Sequence, residues 1–264
     1  MRISRLFVDV PLAEGETLKL DENSAHYLRT VLRLKKGFHL TVFNGDGREY
    51  AAQVDIASRE GVWVAVGSGQ DRDAESPLYT HLGLGVSRGE RMDFALQKAV
   101  ELGVSRITPL WTEHCVVRLD EDKTGQRLQH WQRIIRSACE QCGRNRLPIL
   151  DEPVQIAEWL EQPYGLRLFL DPQGTASLDQ LPRPAGQVTL LSGPEGGFAD
   201  RERDWATQVG FTPIRLGTRI LRTETAVLAA LAAVQTLWGD WSNSHAPLFP
   251  RTPKPLGYDA ETST

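Results

Sequence analysis

Cysteine is nearly absent from this chain. Cys115, Cys139 and Cys142 are an odd and sparse set in 264 residues, which excludes the disulfide framework of small secreted domains. Cys139-Glu-Gln-Cys142 has the spacing of a redox or zinc motif, but it falls late in a helical pattern and no second ligand pair follows. His114 and His130 stand singly, so no metal is expected. Long apolar runs are also missing, and no segment reads as membrane-spanning. The start, Met1-Arg2-Ile3-Ser4-Arg5, has no secretory apolar core, so the expected location is the cytoplasm. Net positive charge is lacking too. A balance of −4 does not advertise a nucleic-acid binder, since such domains are often basic overall.

What is present is ordinary globular composition, with 41% hydrophobic and 24% charged residues, in a chain long enough for one large domain or two smaller ones. The charge is unevenly spread. Arg127, Arg133, Arg136, Arg144 and Arg146 share a stretch with one acid, Glu140, while Arg29, Arg33, Lys35 and Lys36 form a second group with Arg2 and Arg5 upstream. Charge runs are usually solvated faces, yet two of them in an acidic chain mark a candidate phosphate-binding surface.

The densest pattern lies between 190 and 237. Strand formers at 188–191 stop at Ser192-Gly193-Pro194-Glu195-Gly196-Gly197, with Asp200 placed to cap a following helix and Glu202 in its first turn. A short strand at 213–216 leads into the loop 217–222, with Thr223 as a plausible cap. From 226 to 237 nearly every residue is Ala, Val or Leu, and a helix apolar on all faces is buried against its own chain or another. Two glycine-bearing turns at the carboxyl ends of strands are where an open α/β sheet places its ligand, because glycine lets backbone approach a flat or charged group. Neither turn has the Lys-Ser/Thr ending of a P-loop or the G-x-G-x-x-G spacing, which argues against a nucleoside triphosphate.

The preceding chain divides in two. Residues 1–68 read as β-rich: strands at 17–20, 38–43, 50–56 and 62–66, a helical segment at 24–34, and a hairpin signal at Asn44-Gly45-Asp46-Gly47. Short antiparallel strands in so few residues predict a small barrel. The polar stretch 69–77 reads as a linker. From 78 to 241 strands at 80–86, 106–111, 166–170 and 188–191 alternate with helices at 90–102 and 126–142, predicting a mainly parallel sheet covered on both faces. The proline-rich end, 242–264, is expected to be a disordered tail.

GPEGG followed by LGTRILRTETA resembles the motifs of the SPOUT methyltransferases, and HYLRTVLRLKKG, ERMDFALQKAVELGVSRITPL and IIRSACEQCGRNRLP narrow the resemblance to the RsmE family. It spans roughly residues 2 to 240. It implies an α/β domain with a C-terminal trefoil knot after a PUA-like RNA-binding barrel, S-adenosylmethionine as cofactor, methylation of a uridine N3 in 16S ribosomal RNA of the small subunit, and a homodimer through the C-terminal domain. The cofactor would lie against Leu170, Ser192, Gly193, Glu195, Gly196, Leu216, Gly217, Ile220, Leu221, Thr225 and Ala226, with Asp171-Pro172 as looser evidence. Arg222, Glu195 and Glu140 would orient the base or handle its proton. Arg2, Arg5, Arg29, Arg33, Lys35, Arg136, Arg144 and Arg146 would hold RNA. The all-apolar helix supplies a motive for that dimer, and charges at Leu231 and Val234 should give monomers or insoluble protein. Alternatives are the same fold acting on another base or a 2′-hydroxyl, and a non-catalytic RNA-binding module.

Overall fold

Alternation of apolar and polar residues builds the first unit. In the computed structural model, which describes residues 4–31, 35–58, 60–115, 121–162 and 165–241, five strands form one sheet: β1 (Ser4–Phe7), β2 (Thr17–Lys19), β3 (His39–Phe43), β4 (Arg48–Ser58) and β5 (Gly61–Asp71), in the order β1-β3-β4-β5-β2. The expected tail, Arg2 and Arg33 lie outside the described residues. Period-two alternation along β4 turns Tyr50, Ala52 and Val54 inward against Leu6, Val42, Val62 and Val64, the burial a half-exposed strand provides. The 44–47 hairpin forms as read. Gly45 and Gly47 take φ of 95° and 98°, the left-handed region that glycine enters freely. Two features differ from expectation. β1 was read only for Arg5, and it pairs parallel to β3 while the other pairs are antiparallel. The helical segment is split into α1 (Glu22–His26), capped by the Asp21 carboxylate accepting from the Ser24 amide at 3.0 Å, and a π turn over Tyr27–Val31.

The expected linker is not slack. β5 runs to Asp71, past the boundary at 68, and the residues after it are tied down. Arg72 pairs with Glu49 at 3.1 Å, Glu75 pairs with Arg144, and the Ser76 hydroxyl donates to Gln235 at 2.7 Å. Phe7 and Phe43, on barrel strands, pack into the apolar cluster of the second unit, so the two units share a core.

That second unit is a parallel sheet. Its strands β6 (Tyr79–Gly85), β7 (Arg106–Trp111), β8 (Ile149–Leu150), β10 (Leu166–Leu170), β11 (Gln187–Ser192) and β12 (Thr212–Ile214) run in the order β12-β10-β11-β6-β7-β8, with β9 (Val154–Gln155) also on β7. Helices α2 (Gly89–Glu101), α3 (Glu121–Cys142) and α6 (Thr223–Trp238) cover one face through Met92, Leu96, Trp131, Ile135, Val227 and Leu231. On the other, α4 (Ile156–Leu160) and α5 (Asp200–Gln208) pack Trp159, Leu160 and Ala206 with Leu110, Phe169 and Leu191. Both expected helix caps shift by one. Ala199 precedes α5 and Glu202 satisfies its N–H at 2.9 Å, leaving Asp200 inside the helix; Arg222 precedes α6 and Thr223 begins it. The reading of Leu231 and Val234 as interface residues is corrected, because both are fully buried in their own chain's core. Charges there would unfold the domain.

A polar cluster sits inside this sheet near the amino ends of β6 and β7. His81 Nε2 lies 2.7 Å from Thr108 Oγ1, which donates to Asp151 Oδ2 at 2.5 Å, and Arg106 holds the same carboxylate at 2.7 and 2.9 Å. Burial, then the nearby Arg106 charge, push the imidazole from 6.5 down to about 4 against the opposing pull of Asp151. Between those values the unfolded chain binds a proton that the folded chain refuses. Stability is therefore whole above pH 6.5 and falls as pH drops toward 4, by about 3 kcal/mol for this group alone. Glu140, whose pKa is raised by burial, acts in the opposite sense, so the native chain must be compared with His81→Gln. Urea denaturation from pH 7 to 4 should show the variant losing less stability than the native chain.

Candidate active site

Three adjacent parallel strands, β12, β10 and β11, end side by side, and the loops leaving them meet. They enclose a cleft of about 540 Å³, within the range of small-molecule sites. Of the residues expected there, Leu170, Ser192, Gly193, Glu195, Gly196, Leu216, Gly217, Ile220, Leu221 and Ala226 all line it, as does Arg222. Thr225 is a correction: it is exposed on α6 and does not form the wall. Asp171, Pro172 and Arg219 line the cleft, and Arg91, Phe198, Arg203 and Arg215 join them unforeseen.

The glycines here have distinct jobs. Gly217 has φ +76°, open only to residues tolerant of the left-handed region. A Cβ on Gly196 would come within 2.8 Å of His114 Cβ, and one on Gly85 within 2.4 Å of the Pro194 nitrogen, so these two let chain segments touch. Among the described residues no amide from 216 to 221 donates to a backbone carbonyl. Those N–H groups, beside Leu216, Leu221 and an Ile220 that is 86% exposed, offer a polar edge and apolar faces to a flat heterocycle.

Charges are fixed around this frame. The Arg88 N–H donates to Glu195 Oε1 at 3.1 Å, and Arg91 Nη1 lies 3.4 Å from the same oxygen. Burial opposes ionisation of Glu195, but its own N–H, that of Arg88, the Ser87 hydroxyl and the Arg91 charge outweigh it and hold the carboxyl below its usual range. Asp171, buried, takes two hydrogen bonds from Arg203 at 2.6 and 2.8 Å, tying the β10 loop to α5. Arg222 is exposed on the wall, and no ion pair joins it to Glu224 among the described residues.

Several expected contact residues are elsewhere. Glu140 is corrected as a catalytic candidate: it accepts the Phe7 N–H at 3.0 Å between barrel and α3 and does not line the cleft. Arg144 is corrected as an RNA contact. It is 5% exposed, and its donors serve Glu75 and the Val100 and Val104 carbonyls at 3.0 and 2.8 Å. Arg5 is corrected likewise, engaged by Glu49 and Asn145 and stacked 4.9 Å over Phe43. Lys35 and Arg146 are exposed. Arg136 is half-buried and paired with Asp9 at 3.1 Å, and Arg29 is half-buried with a 2.7 Å bond to the Ser58 carbonyl.

Known proteins resemble both units. The RNA methyltransferase domain family matches residues 74–235, and the RNA methyltransferase PUA domain family matches residues 20–66. Ribosomal RNA small subunit methyltransferase E of Buchnera aphidicola (from Schizaphis graminum) is 37% identical, over 91% of this chain and 99% of that protein. The chain belongs to the ribosomal RNA small subunit methyltransferase E family. Among solved members of that family, the Neisseria gonorrhoeae protein bound to S-adenosyl methionine matches with TM-score 0.85 and 38% identity over 91% of this chain and all of that one. A methyltransferase from Legionella pneumophila, solved with its cofactor SAM, matches with TM-score 0.88 and 40% identity over the same shares. The methyltransferase E family thus shares both the barrel and the parallel-sheet unit described above.

Proposed function

We propose that this chain binds S-adenosylmethionine in the three-loop cleft and transfers its methyl group to N3 of a uridine in 16S ribosomal RNA of the small subunit. The observation that carries this reading is the convergence of the β10, β11 and β12 loops on one cleft of cofactor size in a member of that family. The residues present fit the cofactor. The 216–221 amides and side chains suit the adenine, and Gly193 and Gly196 bring backbone near the ribose and methionine. When bound, S-adenosylmethionine supplies an electrophilic methyl on a sulfonium that is its own leaving group.

The protein's share is then positioning and charge. Holding nucleophile and methyl in line supplies on the order of 7–11 kcal/mol. Neutral uridine N3 is a poor nucleophile; once its proton has passed to solvent, the conjugate base carries charge on O2 and O4. Arg222, a cation on the cleft wall, favours that anion. Glu195, kept ionised by Arg91 and Arg88, orients the base from the opposite loop. A uridine in folded RNA must be exposed or flipped out to reach them. Lys35, Arg146 and Arg136 carry the phosphate backbone on the barrel side.

Nucleoside mass mapping of 16S RNA from a deletion strain tests this. One N3-methyluridine should vanish and return when the native chain is supplied. An unchanged nucleoside map would sink the substrate, and loss of another methylated nucleoside would redirect it.

The same proposal includes a cytoplasmic location, a threaded C-terminal knot and a homodimer. Threading is supported by the β10 loop lying across β12, where the Arg215 N–H donates to the Ala176 carbonyl at 3.1 Å. The dimer is supported by α6, whose outward side presents Thr225, Leu228, Ala229, Ala232 and Leu237, small and apolar groups that suit close helix contact. Ala229→Glu with Ala232→Glu changes half-buried positions on the outward side of α6 to residues that still favour helix. Light scattering should find folded monomers; folded dimers would place the interface elsewhere.

A further inference from the structure

The cleft's glycine loop has a back as well as a front. Gly193–Phe198 faces the cleft, and behind it runs the segment that leaves β7, residues 112–115. Two contacts join this segment to the loop, and two more join it to α5, the helix that follows the loop. His114 Nδ1 lies 3.0 Å from the Gly196 carbonyl oxygen. The Gly196 Cα presses so closely on His114 that an added Cβ would sit 2.8 Å from the histidine Cβ and 3.1 Å from its carbonyl oxygen. The Glu113 N–H donates to Glu202 Oε1 at 2.8 Å, while Glu202 Oε2 accepts from the Ala199 N–H at 2.9 Å at the loop's far end. Arg201 Nε pairs with Glu113 Oε2 at 2.7 Å.

Each contact falls on the backbone that forms the cleft wall or on the helix that follows it. None of residues 112–115 lines the cleft. The Gly196 carbonyl can only accept, so the histidine nitrogen facing it must carry the proton. That fixes the neutral tautomer with hydrogen on Nδ1. A glycine loop is mobile unless it is held, and a wall displaced by an ångström weakens both cofactor contact and in-line geometry.

We propose that His114 is a positioning residue: its Nδ1–H holds the Gly196 carbonyl and sets the glycine loop in the shape that grips the methyl donor. This rests on the cofactor reading above for its consequence, but the brace itself does not.

Asparagine and aspartate make the test, since asparagine places an N–H where histidine places Nδ1 and aspartate places an oxygen there. In the full chain without ligand, amide hydrogen exchange across residues 193–198 should quicken by about five- to tenfold in His114→Ala and His114→Asp. It should stay near the native rate in His114→Asn. Calorimetric S-adenosylmethionine affinity should weaken by a similar factor in the first two variants and recover in the third, with the thermal midpoint of all three unchanged. Equal exchange in native, Ala and Asp chains would overturn the brace, as would an Asn variant as loose as Ala. A native chain that shows the exchange pattern but takes up no S-adenosylmethionine would retain the brace and refute the cofactor assignment.

Discussion

Arg222→Ala should lower single-turnover methyl transfer by about a hundred- to a thousandfold while S-adenosylmethionine affinity changes by less than about twofold. Removing one preorganised group that meets charge only as it develops costs about that much in rate. Arg222 stands at the N-terminal cap of α6 with an exposed side chain, and among the described residues no ion pair joins it to Glu224. The guanidinium therefore has no fold-building task to lose, and the variant should keep the native thermal midpoint. Arg222→Lys retains charge without the planar fork and should recover part of the rate. An Arg222→Ala enzyme with native turnover would remove this residue from the chemistry.

Arg144→Ala should act on stability instead. The guanidinium is buried with Glu75 against it and two carbonyls of the α2–β7 turn, Val100 and Val104, as acceptors. Truncation leaves the half-buried Glu75 carboxylate without its cation and the Val104 carbonyl without this donor, while Val100 keeps the Gly103 N–H, which costs about 3 kcal/mol. The urea midpoint should fall accordingly, and barrel and α/β unit should loosen together because Glu75 lies on the segment joining them. A variant with native stability and weakened RNA binding would restore the surface role that its neighbours in sequence suggested.

Those two arginines show how far the sequence is legible. Arg222 could be placed because strand, glycine turn and apolar helix occur consecutively, and such a turn necessarily opens at the carboxyl end of a parallel strand. Strand 106–111 and the helix core at 226–237 were readable for the same reason: their periodicity is local. Arg144 sits in a basic run, and nothing local to it reveals that Glu75 lies opposite. Arg5 was misread in the same way, since Glu49 and Asn145 are far away in sequence. β8 and β9 have two residues each and β1 has four, too few to show a period.

Arg91 is the instructive omission. A cation in the first turn of a helix opposes the helix dipole, and that unfavourable placement was the available signal that something anionic, here Glu195, waits across the cleft. His114 offered less. An isolated histidine after a strand reads as an ordinary loop residue until the fold brings Gly196 against it.

The central claim is that the loops after β10, β11 and β12 form one cofactor site, and titration calorimetry with S-adenosylmethionine tests it most directly. The native chain should bind one molecule per chain, and Gly217→Val, whose side chain the +76° backbone does not tolerate, should lose that binding while its circular dichroism spectrum stays native. A native chain that takes up no S-adenosylmethionine, or a folded Gly217→Val chain that binds it as tightly, would contradict the claim.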